Sequence, residues 1–295
     1  MTQFDTSTLP AGVMLGEGGG GLPVLRVDTD AASAQIYLHG AHVTSWRPGQ
    51  AQEVLWLSEA SEFADGSPIR GGIPLCGPWF GPGRSKNKEP MHGWFRTSTW
   101  TLADVSLDGD DVVVRLTLSG ADARVPESEP ADVTASYTVR VGAQLGLEVT
   151  VTAGADGLDL EEALHTYFAV ADVTQVRIEG LDGTRYADKT PGGRNLNAQA
   201  GDLSLVRLTD RVYAHEGQAT LVDPGLDRRI VIDKSGSRST VVWNPWDAKA
   251  AEMPDLGGVW QTFVCVEVAN ALNQHVKLEA GAAHTMGATI TVESL

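Results

Sequence analysis

QTFVCVEVAN, residues 261–270, has the two-residue rhythm of a buried β-strand, with one exception in its middle. Phe263, Cys265, Glu267 and Ala269 fall on one face, while Val264, Val266 and Val268 fall on the other. A face of β-branched residues marks a strand packed against a core. The opposite face carries a carboxylate between two small neighbours. Burying a carboxylate without partners is costly, so Glu267 must be paired, protonated or functional. EEALHTYFAV, residues 161–170, repeats the pattern: Leu164, Thr166, Phe168 and Val170 share one face, and Ala163, His165, Tyr167 and Ala169 the other. Small residues near both polar side chains leave space, as a cavity floor would. Each remains open between a satisfied core residue and a site residue.

Working outward, alternating segments recur at 23–28, 34–46, 53–57, 111–118, 132–140, 145–152, 174–179, 219–222, 229–233, 239–243 and 284–293. Turn chemistry separates them, including Asp108-Gly109, Asp182-Gly183 and Gly192-Gly193. Helical windows are confined to 58–64 and 247–253, each good for a turn or two. The expected fold is all-β, one large antiparallel β-sandwich. No linker or fixed-period repeat divides it, so a single domain over 1–295 is expected, with 1–21 as a flexible entry segment. Gly16 to Gly21 matches G-x-G-x-x-G, but it precedes a strand instead of joining strand to helix, which favours a flexible loop over a phosphate cradle.

Bulk properties exclude several partners. A net charge of −16 argues against nucleic acid and an anionic membrane surface, both of which need many cationic contacts. A small anionic substrate stays compatible, because a few local arginines outweigh a distant field at contact range. The N-terminus lacks a signal-peptide pattern, no apolar run reaches 18 residues, and both Cys76 and Cys265 read as reduced. A cytoplasmic monomer is expected. His39-x-x-His42 is a poor metal site, since residues three apart on a strand point to opposite faces. No metal or cofactor is expected.

The segment 70–100 is dense in glycine and proline, which specifies a fixed, irregular backbone. Arg70 and Arg96 bracket it. Arginine offers a planar fork suited to phosphate or carboxylate, although surface ion pairing is the commoner fate. Trp79 and Phe80 in this loop, and Trp243 beside Asn244-Pro245, either pack beneath a site or face a sugar ring. Asp210, in LTDRVY, suits a sugar hydroxyl or a strand end.

Several segments in this order resemble the aldose 1-epimerase superfamily, and more narrowly the glucose-6-phosphate 1-epimerases. They are Arg70-Gly71-Gly72-Ile73-Pro74, Pro78-Trp79-Phe80-Gly81, His92-Gly93-Trp94-Phe95-Arg96, Leu164-His165-Thr166-Tyr167-Phe168, Thr209-Asp210-Arg211-Val212-Tyr213, Trp243-Asn244-Pro245-Trp246 and Val264-Cys265-Val266-Glu267. The resemblance implies a β-sandwich of the galactose-mutarotase type. It also implies His165 and Glu267 as catalytic residues, and Arg70, Arg96, His92 and Asp210 as substrate-binding ones. The family often has glutamine where Met91 stands, so one polar sugar contact is expected to be missing.

The implied reaction opens a pyranose, turns it about C1–C2 and closes it on the other carbonyl face. A carboxylate base and an imidazolium acid suit those proton transfers without redox carrier or metal. A sugar phosphate anchored by the arginines is the expected substrate. The rival readings are an epimerase of free aldoses and a non-catalytic sugar-binding sandwich. A glycoside hydrolase is disfavoured, because its usual scheme wants two carboxylates.

Overall fold

β-Branched segments with period-two alternation can bury one face only by pairing side by side and stacking on a second sheet. In the computed structural model, which describes residues 5–194 and 197–295, they do so in two large antiparallel sheets. One is nine-stranded, with its long members at Asp111–Ser119, Thr134–Val141, Leu145–Thr152, Ala283–Ser294 and Arg228–Ser235. The other is eight-stranded. Its path runs from Asn197–Ala198 through Arg185–Asp188, Thr209–Ala214, Ser239–Asn244, Phe263–Asn270 and Glu162–Leu164 to Leu75–Cys76, with Tyr167–Ala169 also paired to Phe263–Asn270. The main core lies between them: Val264, Val266, Val268, Leu164 and Phe168 from one sheet join Val114, Leu116, Tyr137, Val139, Leu147 and Ile290 from the other. The faces read from QTFVCVEVAN are those realised, and the second face of that sheet is left for a site. No helix of the described residues is long and apolar enough to cross a membrane.

A four-stranded sheet precedes this sandwich and corrects two expectations. The run 34–46 is a hairpin of Ala32–Tyr37 and His42–Pro48, turned at Gly40 and Ala41, both at positive φ. The segment expected as a flexible entry contains the strand Val13–Glu17, paired residue for residue with Pro23–Asp28. Its glycines serve close packing. Tyr37 donates no room at Gly18, and a Cβ on Gly20 would sit 1.7 Å from the Phe63 carbonyl oxygen. Residues 13–20 are therefore fixed against their neighbours.

Three smaller differences have local causes. Thr101–Asp108 is an edge strand whose register shifts between Leu102 and Asp104, so its buried Leu102 and Val105 stand three apart and break the two-residue alternation. The window 58–64 forms no helix, because the Ser58 hydroxyl accepts from the Ala60 N–H and donates to the Asp255 carbonyl. The window 247–253 does yield the short helix Trp246–Ala251.

Candidate active site

Glu267 and His165 meet because two strand segments share one register. Ala163 lies opposite Ala269, and Tyr167 opposite Cys265, so His165 falls opposite Glu267. Regular pairing is interrupted at His165-Thr166: the His165 N–H donates to the Pro74 carbonyl and the Thr166 N–H to Leu164. The imidazole thereby faces the carboxylate, with Nε2 3.4 Å from Oε1. Both residues are buried, and both keep a polar atom without a partner, His165 Nδ1 and Glu267 Oε2. Unpaired buried polar atoms are rare in folded proteins, and two in one contact mark a place prepared for something else.

Aromatic rings hold the imidazole. The Tyr167 ring stacks on His165 at 5.0 Å with planes 18° apart, while Trp243 approaches at 6.1 Å and His92 at 5.7 Å, both edge-on. Tyr167 in turn accepts from Arg70 Nη1 at 2.9 Å, and Arg70 Nε donates to Asp255 at 2.8 Å. Arg70 is thus already engaged by a carboxylate and a phenol. Arg96 differs: Nη2 donates to the Met91 carbonyl, its buried Nε has no partner, and no carboxylate of the described residues lies within ion-pairing distance. Because Met91 serves through its backbone and its side chain is exposed, methionine at this position leaves the anchoring of Arg96 intact.

His92 sits at φ +68°, with Nδ1 accepting from the Gly81 N–H and its ring edge-on to Phe80 at 4.8 Å. Asp210 lies in register with Trp243, which is in register with Cys265, so it shares the face that carries Glu267. Of the three aromatic candidates, Phe80 and Trp243 border His92 and His165. Trp79 is turned the other way: it is buried in the main core, and its Nε1 donates to the Pro90 carbonyl. Its ring packs the underside of the loop and offers no face to a sugar. The sequence reading also missed Lys189, whose Nζ lies 3.3 Å from Asp210 Oδ1 and over the Phe80 ring. His39 and His42, by contrast, bond separate backbone carbonyls, those of Ser67 and Gly71.

Electrostatics of the pair follow from burial. Burial drives the His165 imidazole down to about 3, and the nearby charges of Arg96, Arg70 and Lys189 push the same way. Burial also pushes the Glu267 carboxyl well above its ordinary range, with Lys189 opposing and Asp210 adding to the effect. Burial therefore favours the uncharged form of both partners, imidazole and carboxylic acid. An imidazole with a carboxylic acid holds the same number of protons as an imidazolium with a carboxylate, so the two forms differ only in where one proton sits.

The model of the aldose 1-epimerase family matches residues 23–291, and the chain belongs to that family. A relative from Escherichia coli K12, named "Putative glucose-6-phosphate 1-epimerase", is 35% identical over 254 residues, covering 85% of this chain and 84% of that protein. A plant relative of the same name, from Cenchrus ciliaris, is 32% identical over 84% of this chain and 78% of its own. Among solved structures, a "putative mutarotase" from Salmonella typhimurium superposes with a TM-score of 0.86 at 30% identity, covering 98% of this chain and 96% of that one. The galactose 1-epimerase of Lactobacillus acidophilus, at 13% identity, shares the fold with a TM-score of 0.71 over 97% of this chain and 99% of its own.

Proposed function

We propose that this chain interconverts the α and β anomers of a hexose 6-phosphate, glucose 6-phosphate foremost, with His165 and Glu267 as its acid–base pair. The observation that carries the reading is the 3.4 Å contact between His165 Nε2 and Glu267 Oε1, buried and short of other partners. Family membership and the names of the relatives support the same reaction.

The chemistry needs one proton removed from the anomeric hydroxyl and one delivered to the ring oxygen as the C1–O5 bond breaks. A pair sharing one proton can do both. When Glu267 is the carboxylate it takes the hydroxyl proton, and the His165 imidazolium protonates the ring oxygen. Rotation about C1–C2 and closure reverse the transfers on the other face. Arg96, Arg70 and Lys189 oppose an imidazolium at His165. A bound phosphate, carrying about −1.5 to −2 charge near neutrality, offsets those cations and so raises the proton affinity of His165 and of Glu267 alike. Arg96, without a carboxylate partner, is the natural anchor for that anion, and Asp210 with Trp243 lines the sugar side of the face.

One observation favours the rival substrate, a free aldose: Arg70 is already engaged by Asp255 and Tyr167. Anomeric exchange measured by NMR on glucose 6-phosphate and on free glucose separates the two. The hexose-phosphate reading expects faster exchange of the phosphorylated sugar, and a loss of that advantage in Arg96→Ala. Equal acceleration of both sugars, unaffected by the substitution, assigns the activity to free aldoses. Binding without acceleration leaves a sugar-binding sandwich.

A further inference from the structure

We propose that Lys189 is a phosphate-contacting residue of this site, a cation that completes with Arg96 the recognition of the substrate's anionic end. The inference rests on the hexose-phosphate reading above.

Lys189 leaves the strand Arg185–Asp188 at a turn with a fixed shape. Its own N–H donates to the Asp210 carbonyl at 2.8 Å, extending the pairing with Thr209–Ala214 by one residue. Asp188 closes the turn by accepting from the N–H and hydroxyl of Thr190 at 3.0 and 2.6 Å. A lysine on such a polar turn ordinarily extends into water, because ordering its four-carbon stem costs rotamer entropy. Here the stem instead folds inward. Nζ stands 5.2 Å from the Phe80 ring centroid and 3.3 Å from Asp210 Oδ1, with about a third of the side-chain surface still exposed (34%).

That position is on the wall of the acid–base pair. Phe80 meets His92 edge-on, and His92 meets His165 edge-on, so the ammonium, two rings and the catalytic candidate form one continuous surface. An ammonium has three donors, and the contact with Asp210 occupies one. The others are available to an incoming anion. Charge balance in the site points the same way. Arg70 is held by Asp255 and Tyr167, which leaves Arg96 as one unopposed charge against a phosphate that carries nearly two. Lys189 adds a second cation: its charge is shared with Asp210, as that of Arg70 is with Asp255, but its remaining donors have no partner among the described residues. Its compact, strongly hydrated ammonium suits a point contact beside the planar fork of Arg96.

The test uses 1,5-anhydroglucitol and its 6-phosphate, sugars that lack the anomeric hydroxyl and so bind without reacting, with affinities read by calorimetry. Lys189→Met keeps a stem over Phe80 and removes the charge. It is expected to weaken binding of the 6-phosphate by about tenfold or more, the size of one charge-assisted hydrogen bond. Binding of the unphosphorylated sugar should change by less than about twofold, and Lys189→Arg should recover most of the loss. Unchanged affinity for the 6-phosphate, or an equal loss for both sugars, overturns the assignment of Lys189 alone. A wild-type protein that binds both sugars equally removes the hexose-phosphate reading itself, and this inference with it.

Discussion

Glu267 and His165 illustrate how little a single residue settles before its neighbours are known. The alternation in each segment places each side chain on the face opposite the apolar core face, and that much is visible in the residue order. Their pairing depends on the register in which Ala163 meets Ala269, which no local pattern encodes. Under the proposed mechanism, Glu267→Gln removes the exchangeable proton while keeping size and shape. Anomeric exchange on glucose 6-phosphate should fall by about 10²–10⁴-fold, with thermal unfolding unchanged or raised because a buried acid has been replaced. The pH profile carries a second signature. Above the raised Glu267 value the pair loses its only proton and with it the acid, so kcat/KM should decline on the alkaline side. On the acid side the imidazole gains a second proton only near 3, so any loss around pH 6 belongs to the substrate phosphate. A kcat/KM that instead collapses near pH 6.5 on free glucose as well would mean that His165 titrates as an ordinary histidine.

At the scale of elements, the loop from Arg70 to Trp100 does the positioning that strands cannot. Its glycine and proline density correctly signals a fixed backbone, and Gly93 shows what fixes it. With φ at +72°, it brings its Cα so close to the chain that a Cβ would lie 2.0 Å from the Gly77 carbonyl oxygen. His92, one residue earlier, depends on that approach, since its carbonyl accepts from the Gly77 N–H. Gly93→Ala should therefore displace His92 and Arg96 together, with activity falling at least as far as in Arg96→Ala and the urea midpoint dropping as well. A variant with wild-type exchange and stability would show that the loop tolerates a shift there. The same loop shows where residue types mislead. Trp79 and Phe80 are adjacent aromatic residues with the same composition signal, yet one enters the main core and the other borders His92. Direction in an irregular backbone has no period to read. Lys189 escaped notice for a related reason: on a polar turn its composition is ordinary, and only the bend over Phe80 distinguishes it.

Across the whole molecule, the sandwich was legible because most strands bury one face, and burial imposes alternation. The exceptions were elements whose alternation a register shift breaks or whose glycines disguise them, such as Thr101–Asp108 and Val13–Glu17. Burial of charge also links the fold to pH. Glu162 lies inside the sandwich, with Oε1 accepting from Asn270 Nδ2 at 2.9 Å, His284 Nε2 3.5 Å away and Oε2 unpartnered. Burial pushes its carboxyl up to about 8 from 4.5, and the Asn270 contact opposes this. A carboxyl that holds its proton more tightly folded than unfolded contributes stability fully below about pH 4.5 and loses it as pH rises to about 8. Glu162→Gln keeps an acceptor for Asn270 and cannot ionise. Urea unfolding should find the variant close to wild type at pH 4.5. At pH 8.5 the variant should be more stable by a few kcal/mol, of the order that a shift of this size represents at about 1.4 kcal/mol per pH unit. Equal midpoints at both pH values would mean that the ionised carboxylate is accommodated inside, through His284 or entering water, and that alkaline loss of stability arises elsewhere.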